Sequence, residues 1–184
     1  MAGKLKSVAV YCGHQFGNNP AFVIDAKKIG EMLAKNNINV VFGGGNVGLM
    51  GTVATAALQN GGHVTGISTR DVLAKQEPLH DGLQHFEVVD GVNDRKKRMF
   101  ELSDGFIILP GGTGTLNELT DIMTMQQIGE TNKPLFFMNT DNFWEPFVHL
   151  IIHMQNTGFF VNPEDYNIHS ARSPEELMEQ VLNY

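Results

Sequence analysis

Two glycine-rich segments are the first features of this sequence that could bind a ligand. The first spans residues 43–51 and reads GGGNVGLMG, and the second spans residues 110–118 and reads PGGTGTLNE. With five glycines in the first and three in the second, they hold eight of the 20 glycines in the chain. Each follows an apolar, strand-like run and precedes a helical pattern, so each predicts a loop that opens a helix. Glycines there let another group approach the backbone N–H donors, and a helix amino terminus favours an anion.

The first segment leaves two interpretations open. Gly43, Gly45 and Gly48 match the spacing of the dinucleotide-binding fingerprint. The segment nevertheless follows the second predicted strand, and residues 68–70 (STR) stand where the fingerprint needs an acidic residue for the ribose, about 20 positions on. The same glycines would serve equally well to pack a helix of small residues closely against the sheet.

The second segment offers a phosphate cradle and a carboxylate. It lacks the Gly-Lys-Ser/Thr ending of a P-loop, which argues against ATP hydrolysis. Free backbone N–H groups, together with the hydroxyls of Thr113 and Thr115, can hold a phosphate. Glu118 has two interpretations. Either it completes a capping box with Thr115 and bonds only the start of the helix, or it lies one turn above the cradle, close to a bound sugar.

A basic run, Asp94 followed by RKKR at 95–98, is the third candidate. A run of charges is usually a solvated helix face. These cations lie in the first turns of the predicted helix, however, where they oppose the helix dipole and an anionic ligand would compensate. Helical spacing puts Arg95 on the same side as Met99, which predicts an inward-facing guanidinium suited to phosphate. Lys97 is expected to face solvent.

Short β-rich runs alternate with helical segments along the chain. The predicted strands span Ser7–Tyr11, 38–42, 63–68, 84–89, 105–109 and 133–138. The predicted helices span 21–36, 49–60, 93–103, 115–128, 143–156 and 174–182, and residues 69–83 are expected to be irregular. This alternation predicts an α/β, doubly wound fold with a mostly parallel sheet, in a single domain over residues 1–184. Such sheets bind ligands beyond the carboxyl ends of their strands, where both glycine-rich segments fall.

Composition excludes several classes of protein. The chain has 184 residues, a net charge of −7 and 42% hydrophobic residues, so it is too apolar and too weakly charged for disorder. No run approaches the ~18 apolar residues of a transmembrane helix, and the start of the chain shows no signal-peptide pattern. The acidic balance argues against nucleic acid and anionic membranes as partners. The single cysteine, Cys12, excludes an internal disulfide and agrees with a cytoplasmic location.

Four segments together resemble the LOG (Lonely Guy) family of cytokinin riboside 5′-monophosphate phosphoribohydrolases, many of which once carried the label lysine decarboxylase. The matching segments are VYCG at 10–13, FGGGNVGLMG at 42–51, DRKKRM at 94–99 and SDGFIILPGGTGTLNEL at 103–119. The resemblance implies a Rossmann-like fold, a homodimer, and hydrolysis of the N-glycosidic bond of a cytokinin-type or adenosine 5′-monophosphate to free base and ribose 5-phosphate. That reaction needs neither a metal nor a cofactor. A decarboxylase would need a lysine-bound pyridoxal cofactor, and no lysine here stands in a motif that suggests one.

The same resemblance assigns roles to individual residues. Arg95 and Glu118 correspond to the catalytic arginine and glutamate of the family. The residues expected to bind substrate are Gly13, Gly44, Gly45, Glu77, Lys96, Gly111, Gly112, Thr113, Gly114, Thr115 and Thr124. A carboxylate beside the sugar would stabilise the oxocarbenium-like charge of glycosidic cleavage or orient the attacking water. Arg95 and the second glycine-rich segment would bind the 5′-phosphate, whose binding energy positions the sugar.

Several residues around the expected site depart from the family pattern. His14 and Gln15 replace small serines, Thr113 replaces a common tyrosine, Met125 stands where tryptophan is frequent, and Thr69 stands where proline is common. These departures favour AMP itself over an N6-substituted AMP as the substrate.

Two other functions are compatible with these residues. A non-catalytic nucleotide-binding or carrier protein of the same fold would bind a nucleotide tightly without turnover. An NADP-dependent oxidoreductase would read the 2′-phosphate with Arg70, but no hydride-transfer partner is evident and the fingerprint follows the wrong strand.

Overall fold

A seven-stranded parallel sheet carries the elements of the chain. The computed structural model describes residues 5–75, 78–79, 81–159 and 162–184. The strands are β1 Ser7–Tyr11, β2 Asn39–Phe42, β3 Val64–Thr69, β4 His85–Val89, β5 Gly105–Ile108, β6 Leu135–Met138 and β7 Ile168–Ala171. The helices are α1 Pro20–Lys35, α2 Gly48–Gln59, α3 Arg70–Leu73, α4 Val92–Glu101, α5 Thr113–Gln127, α6 Glu145–Asn156 and α7 Pro174–Asn183. Among these described helices, none combines the length and the apolar character needed to cross a bilayer.

The strand order creates a crevice in the middle of the sheet. The order is β4-β3-β2-β1-β5-β6-β7, and every neighbouring pair is parallel. The chain therefore runs outward from β1 to one edge, returns to the centre at β5, and runs outward to the other edge. Tyr11 pairs with Ile108, so the carboxyl ends of β1 and β5 lie side by side at this switch point. The predicted α/β doubly wound fold is therefore confirmed. Sheets of this kind bind their ligands at the switch point.

Two apolar cores cover the two faces of the sheet. On one face, α1, α2 and α7 bury residues such as Ile29, Val53 and Leu177. On the other face, α4, α5 and the start of α6 bury residues such as Met99 and Leu119. The loops at the carboxyl ends of the strands are thus mounted on a scaffold that is packed from both sides, which fixes the positions of the residues they carry.

Besides shifts of one or two residues at the ends of other elements, the structure differs from the predicted elements in three places. Strand β7 has no counterpart among the predicted strands, because its four residues (IHSA) form a partly exposed edge with little apolar signal. The segment 69–83, predicted to be irregular, begins with the short helix α3, where Thr69 Oγ1 accepts a hydrogen bond of 3.2 Å from Val72 N. Helix α5 begins at Thr113 and not at Thr115, because Gly112 is its N-cap residue. Thr115 therefore lies inside the helix.

The close contact between α1 and α2 depends on Gly30. A Cβ atom at this position would lie 2.4 Å from the carbonyl oxygen of Val53 and 3.0 Å from Ala56 Cβ. We expect Gly30→Ala to lower the free energy of unfolding by about 1–3 kcal/mol, because the clash with backbone outweighs the better helix propensity of alanine. Urea unfolding followed by circular dichroism measures the change.

Gly114→Ala is the matched control for this substitution. Gly114 also lies in a helix, but a Cβ atom there meets nothing within 4 Å. Its unfolding free energy should stay unchanged or rise. A Gly30→Ala protein as stable as the Gly114→Ala protein would contradict the proposed steric constraint.

Candidate active site

A cavity of about 450 Å³ opens at the switch point between β1 and β5. Eight of the residues predicted from the sequence line it together: Gly13, Arg95, Gly111, Gly112, Thr113, Gly114, Thr115 and Glu118. They come from the loop after β1, from α4, and from the loop and first turns that follow β5. The sheet topology thus brings together two of the three candidate segments, the basic run at 94–98 and residues 110–118. The third segment, residues 43–51, contributes only Leu49 and Met50 to the lining.

Arg95 is buried, with 9% of its surface exposed. Its Nε donates a hydrogen bond of 2.9 Å to the carbonyl oxygen of Ile67, in the second half of β3. Gly43 provides the space for this side chain, because a Cβ atom at position 43 would lie 1.8 Å from Arg95 Nη2. The inward orientation predicted for Arg95 is confirmed, and Lys97 is exposed as predicted.

Glu118 forms an ion pair with Arg95 inside the cavity. Glu118 Oε1 lies 3.4 Å from Arg95 Nη1, and only 12% and 11% of the two side chains are exposed. Burial raises the pKa of Glu118 to about 7, although the positive charges of Arg95 and then Lys96 act in the opposite direction. The site therefore holds a carboxyl group that gains or loses its proton near neutral pH, a range in which acid–base groups of enzymes work.

The capping-box interpretation of Glu118 is wrong. It required Thr115 at the N-cap position, but the N-cap is Gly112, which makes no side-chain capping bond. The side-chain hydrogen bond found for Glu118 is the one from Arg95. The carboxylate is therefore directed into the cavity and not back to the helix start.

The amino terminus of α5 faces the cavity. The first N–H groups of a helix have no partner within the helix, and here they belong to Thr113, Gly114 and Thr115. The positions that a Cβ atom would take at Gly112 and Gly114 are open space. An anion can therefore reach these N–H groups, which the helix dipole also favours.

The amino terminus of α2 is arranged differently. Leu49 N donates a hydrogen bond of 3.4 Å to the Gln15 carbonyl, and Met50 N donates one of 3.2 Å to the Gly13 carbonyl. The chain's own loop after β1 thus takes the place that an anion would need. The close-packing interpretation of residues 43–51 fits these contacts better than the dinucleotide fingerprint.

Gly44 and Gly45 are buried and are not among the described residues that line the cavity. The Gly44 carbonyl accepts a hydrogen bond of 3.0 Å from Leu79 N, and Gly45 forms an isolated bridge with Pro78. These contacts connect residues 43–51 to the residues that follow α3. A contact of Gly44 or Gly45 with substrate stays a prediction.

Three further predicted residues lie elsewhere. Lys96 Nζ donates a hydrogen bond of 2.9 Å to Asn117 Oδ1 and pairs with Asp121, beside the cavity and not in its lining. Thr124 is exposed on α5, where its Oγ1 donates to the Thr120 carbonyl. Glu77 lies outside the described residues. The substrate contacts of these residues also stay predictions.

The apolar part of the cavity wall is not among the residues predicted from the sequence. This wall consists of Phe16, Phe22, Leu49, Met50, Val72 and Phe143. Phe22 and Phe143 form an edge-to-face pair with ring centroids 5.6 Å apart, on residues that are far apart in the sequence. The wall offers an apolar surface on one side of the cavity.

Among the departures from the family pattern, His14, Gln15 and Thr113 line the cavity. Met125 instead packs against the core between the sheet and α5, and Thr69 caps α3. Cys12 also lines the cavity, but burial raises the pKa of its thiol, which keeps the sulfur protonated. Within the described residues, no group of three or more His, Cys, Asp or Glu side chains could hold a metal ion.

Comparisons with known proteins identify relatives of this chain. A family model described as "Possible lysine decarboxylase" matches residues 50–181. The cytokinin riboside 5′-monophosphate phosphoribohydrolase of Rhodococcoides fascians is 39% identical over 154 residues, which cover 84% of this chain and 78% of the relative. The cytokinin riboside 5′-monophosphate phosphoribohydrolase LOG of Oryza sativa subsp. japonica is 33% identical over 181 residues, covering 98% and 74% of the two chains.

A solved structure shares the fold. The molybdenum cofactor binding protein of Rippkaea orientalis superimposes with a TM-score of 0.70 at 22% identity, covering 98% of this chain and 97% of that chain. At this level of identity the likeness concerns the architecture of the sheet and its helices.

The raised pKa of Glu118 has a consequence for stability. Between its ordinary value of 4.5 and about 7, the folded protein keeps a proton on Glu118 that the unfolded chain releases, so this group's contribution to stability falls as pH rises through that window. Glu118→Gln removes the titration. We expect the stability of the variant, relative to wild type, to increase by about 3 kcal/mol between pH 4.5 and 7.5, measured by chemical unfolding.

Glu179→Gln is the control, because Glu179 is an exposed carboxylate on α7, on the opposite face of the sheet. Its stability difference from wild type should not vary with pH. A pH-independent difference for Glu118→Gln as well would show that Glu118 titrates at an ordinary pKa.

Proposed function

Since this chain belongs to the family described as possible lysine decarboxylases, which includes the cytokinin riboside 5′-monophosphate phosphoribohydrolases, we propose that it hydrolyses the N-glycosidic bond of a nucleoside 5′-monophosphate. The substrate is AMP or an N6-substituted AMP, and the products are the free base and ribose 5-phosphate. The observation that carries this proposal is the buried Arg95–Glu118 pair, which lines the same cavity as the open amino terminus of α5.

In this proposal the 5′-phosphate binds at the start of α5. The N–H groups of Thr113, Gly114 and Thr115, and the threonine hydroxyls, are the donors. Arg95 lines the same cavity, and its guanidinium carries five N–H donors, of which the contact with Glu118 engages only part. Its guanidinium can therefore also donate to a phosphate oxygen without leaving the carboxylate. Binding energy from the phosphate fixes the sugar next to Glu118.

Glu118 acts on the sugar in its ionised form. As the bond between C1′ and the base nitrogen breaks, its electron pair goes to the base and positive charge develops on the sugar. A carboxylate held in a buried site stabilises that charge and orients the water whose oxygen bonds to C1′. One proton of that water is lost, and the leaving base takes up one proton. The apolar wall that includes Phe22 and Val72 limits access of other water molecules.

The residues of the cavity favour a hydrolase over a decarboxylase. A pyridoxal-dependent decarboxylase binds its cofactor through a lysine. No lysine is found among the described residues that line the cavity, and Lys96 is engaged by Asp121 and Asn117.

We propose also that the protein is a homodimer. On α6, Val148 and Ile152 lie four residues apart, and so on one side of the helix, and they expose 42% and 45% of their surfaces. Phe159, just beyond the helix, exposes 81%. An apolar face of this kind on a helix usually marks an interface. A second copy of the chain is the partner that the family resemblance implies.

We also propose that the chain forms a single domain and that the protein is cytoplasmic. One sheet with two packed faces supports a single domain over residues 1–184. The free, buried thiol of Cys12 supports a location in the reducing cytoplasm.

Product analysis across a nucleotide panel tests the activity. We expect AMP and N6-substituted AMPs to release free base, and Glu118→Gln to lower the rate at least ~100-fold while the protein stays folded. Chromatography of the products and circular dichroism give the two readouts, and Glu179→Gln should retain the wild-type rate. Tight nucleotide binding without release of base from any nucleotide would identify a carrier and overturn the proposal.

Light scattering coupled to size-exclusion chromatography tests the dimer. The double substitution Val148→Glu with Ile152→Glu places charge on the apolar face of α6 and should give a monomer. Ile24→Glu, at a residue on α1 that is 63% exposed, is the control and should leave the dimer intact. A wild-type protein that is monomeric at micromolar concentration would refute this interface.

A further inference from the structure

A second pair of charges lies beside the Arg95–Glu118 pair. Lys96 follows Arg95 on α4, and its Nζ lies 2.5 Å from Asp121 Oδ2 and 2.9 Å from Asn117 Oδ1. Only 14% of the Lys96 side chain is exposed, against 42% of Asp121. Two consecutive cations of α4 therefore meet two carboxylates of α5, one pair inside the cavity and the other at its rim.

The helical register of α5 explains the arrangement. Glu118 and Asp121 are three residues apart, so their side chains are neighbours on one face of the helix, where like charges repel. Asn117 precedes Glu118 and supplies the second oxygen for Lys96. The Lys96–Asp121 pair is thus built from both helices, and it lies next to the Glu118 carboxylate.

Lys96 and Asp121 act on Glu118 in opposite directions. The cation favours the ionised form of Glu118 and lowers its pKa, whereas the negative charge of Asp121 raises it. The stronger influences are burial, which raises this pKa, and Arg95, which lowers it. The opposite effects of Lys96 and Asp121 on the pKa of Glu118 therefore offset each other to a large extent, as long as both side chains are charged.

Other groups that face Glu118 come from β1 and its loop. Burial keeps the phenol of Tyr11 and the thiol of Cys12 uncharged, because it raises the pKa of each. His14, on the following loop, lines the same cavity. In the part of the chain that the structure describes, the acidic group placed to balance Lys96 is Asp121.

We propose that Asp121 is a positioning residue for the hydrolysis: it holds Lys96 at the rim and offsets its charge, so that Glu118 pairs with Arg95 and not with Lys96. This proposal rests on the proposed function. Without Asp121, Lys96 retains its charge and loses its ionic partner, and the neighbouring carboxylate of Glu118 is the group it can approach. Glu118 would then be stabilised in its ionised form and drawn away from the sugar.

Asp121→Asn tests this role, with two readouts. The first is the titration of Glu118 by carbon-13 NMR of glutamate-labelled protein, with the signal assigned by its loss in Glu118→Gln. The second is the pH dependence of kcat and KM for AMP. We expect the midpoint of Glu118 to fall by at least roughly 0.5 pH unit, and the acidic limb of kcat to move to lower pH with it. The maximal kcat should also fall several-fold because the carboxylate is displaced.

Asp121→Glu is the conservative variant and should restore the wild-type midpoint and pH profile. Glu179→Gln removes the same charge from the opposite face of the sheet and should change neither. Asp121 exposes 42% of its side chain, and thermal unfolding will verify that Asp121→Asn is folded.

An unchanged Glu118 midpoint in Asp121→Asn, or an equal shift in Glu179→Gln, would overturn the proposal. The NMR titration needs no turnover, so it separates the two hypotheses. If wild type hydrolyses no nucleotide, the proposed function fails whatever the midpoint does. If wild type is active but the midpoint does not move, only the role of Asp121 fails.

Discussion

The arrangement of this site depends on one constraint, which is that a buried arginine must be paired. Arg95 places a permanent charge beneath the crevice, and a charge removed from water is costly unless it has hydrogen-bond and ionic partners. Its partners are the Ile67 carbonyl in the second half of β3 and the Glu118 carboxylate on α5. Three elements from different parts of the chain are therefore held in register by one guanidinium. The same pairing keeps Glu118 inside the cavity, where burial brings its pKa to about 7.

The two glycine-rich segments look alike in sequence but serve different purposes. Gly43 leaves room for the Arg95 side chain, and the loop after β1 accepts hydrogen bonds from the start of α2. The segment after β5 keeps the N–H groups at the start of α5 accessible from the cavity. Residues 43–51 thus pack beneath Arg95, whereas residues 110–118 remain accessible to a ligand. The difference is caused by neighbouring loops and not by the glycines themselves.

The sequence was sufficient for the fold and for the inward orientation of Arg95. Alternating strand and helix patterns predicted the parallel sheet, and helical spacing alone predicted that Arg95 faces inward. The sequence was not sufficient where a contact with a residue distant in the chain determines the local structure. Nothing local indicates that carbonyls from Gly13 and Gln15 would occupy the start of α2, or that Lys96 would turn to Asp121. The edge strand β7 has too few apolar residues to be recognised without its partner β6.

The loop after β1 is anchored on both sides, by the bond from Gly13 N to the Pro110 carbonyl and by the bonds that its own carbonyls accept from Leu49 and Met50. Its backbone is thus fixed independently of the side chains at positions 14 and 15, which project to solvent and to the cavity. Such a segment can exchange those side chains at little cost to folding. It is a place where substrate preference can diverge during evolution while the chemistry of the site is inherited unchanged.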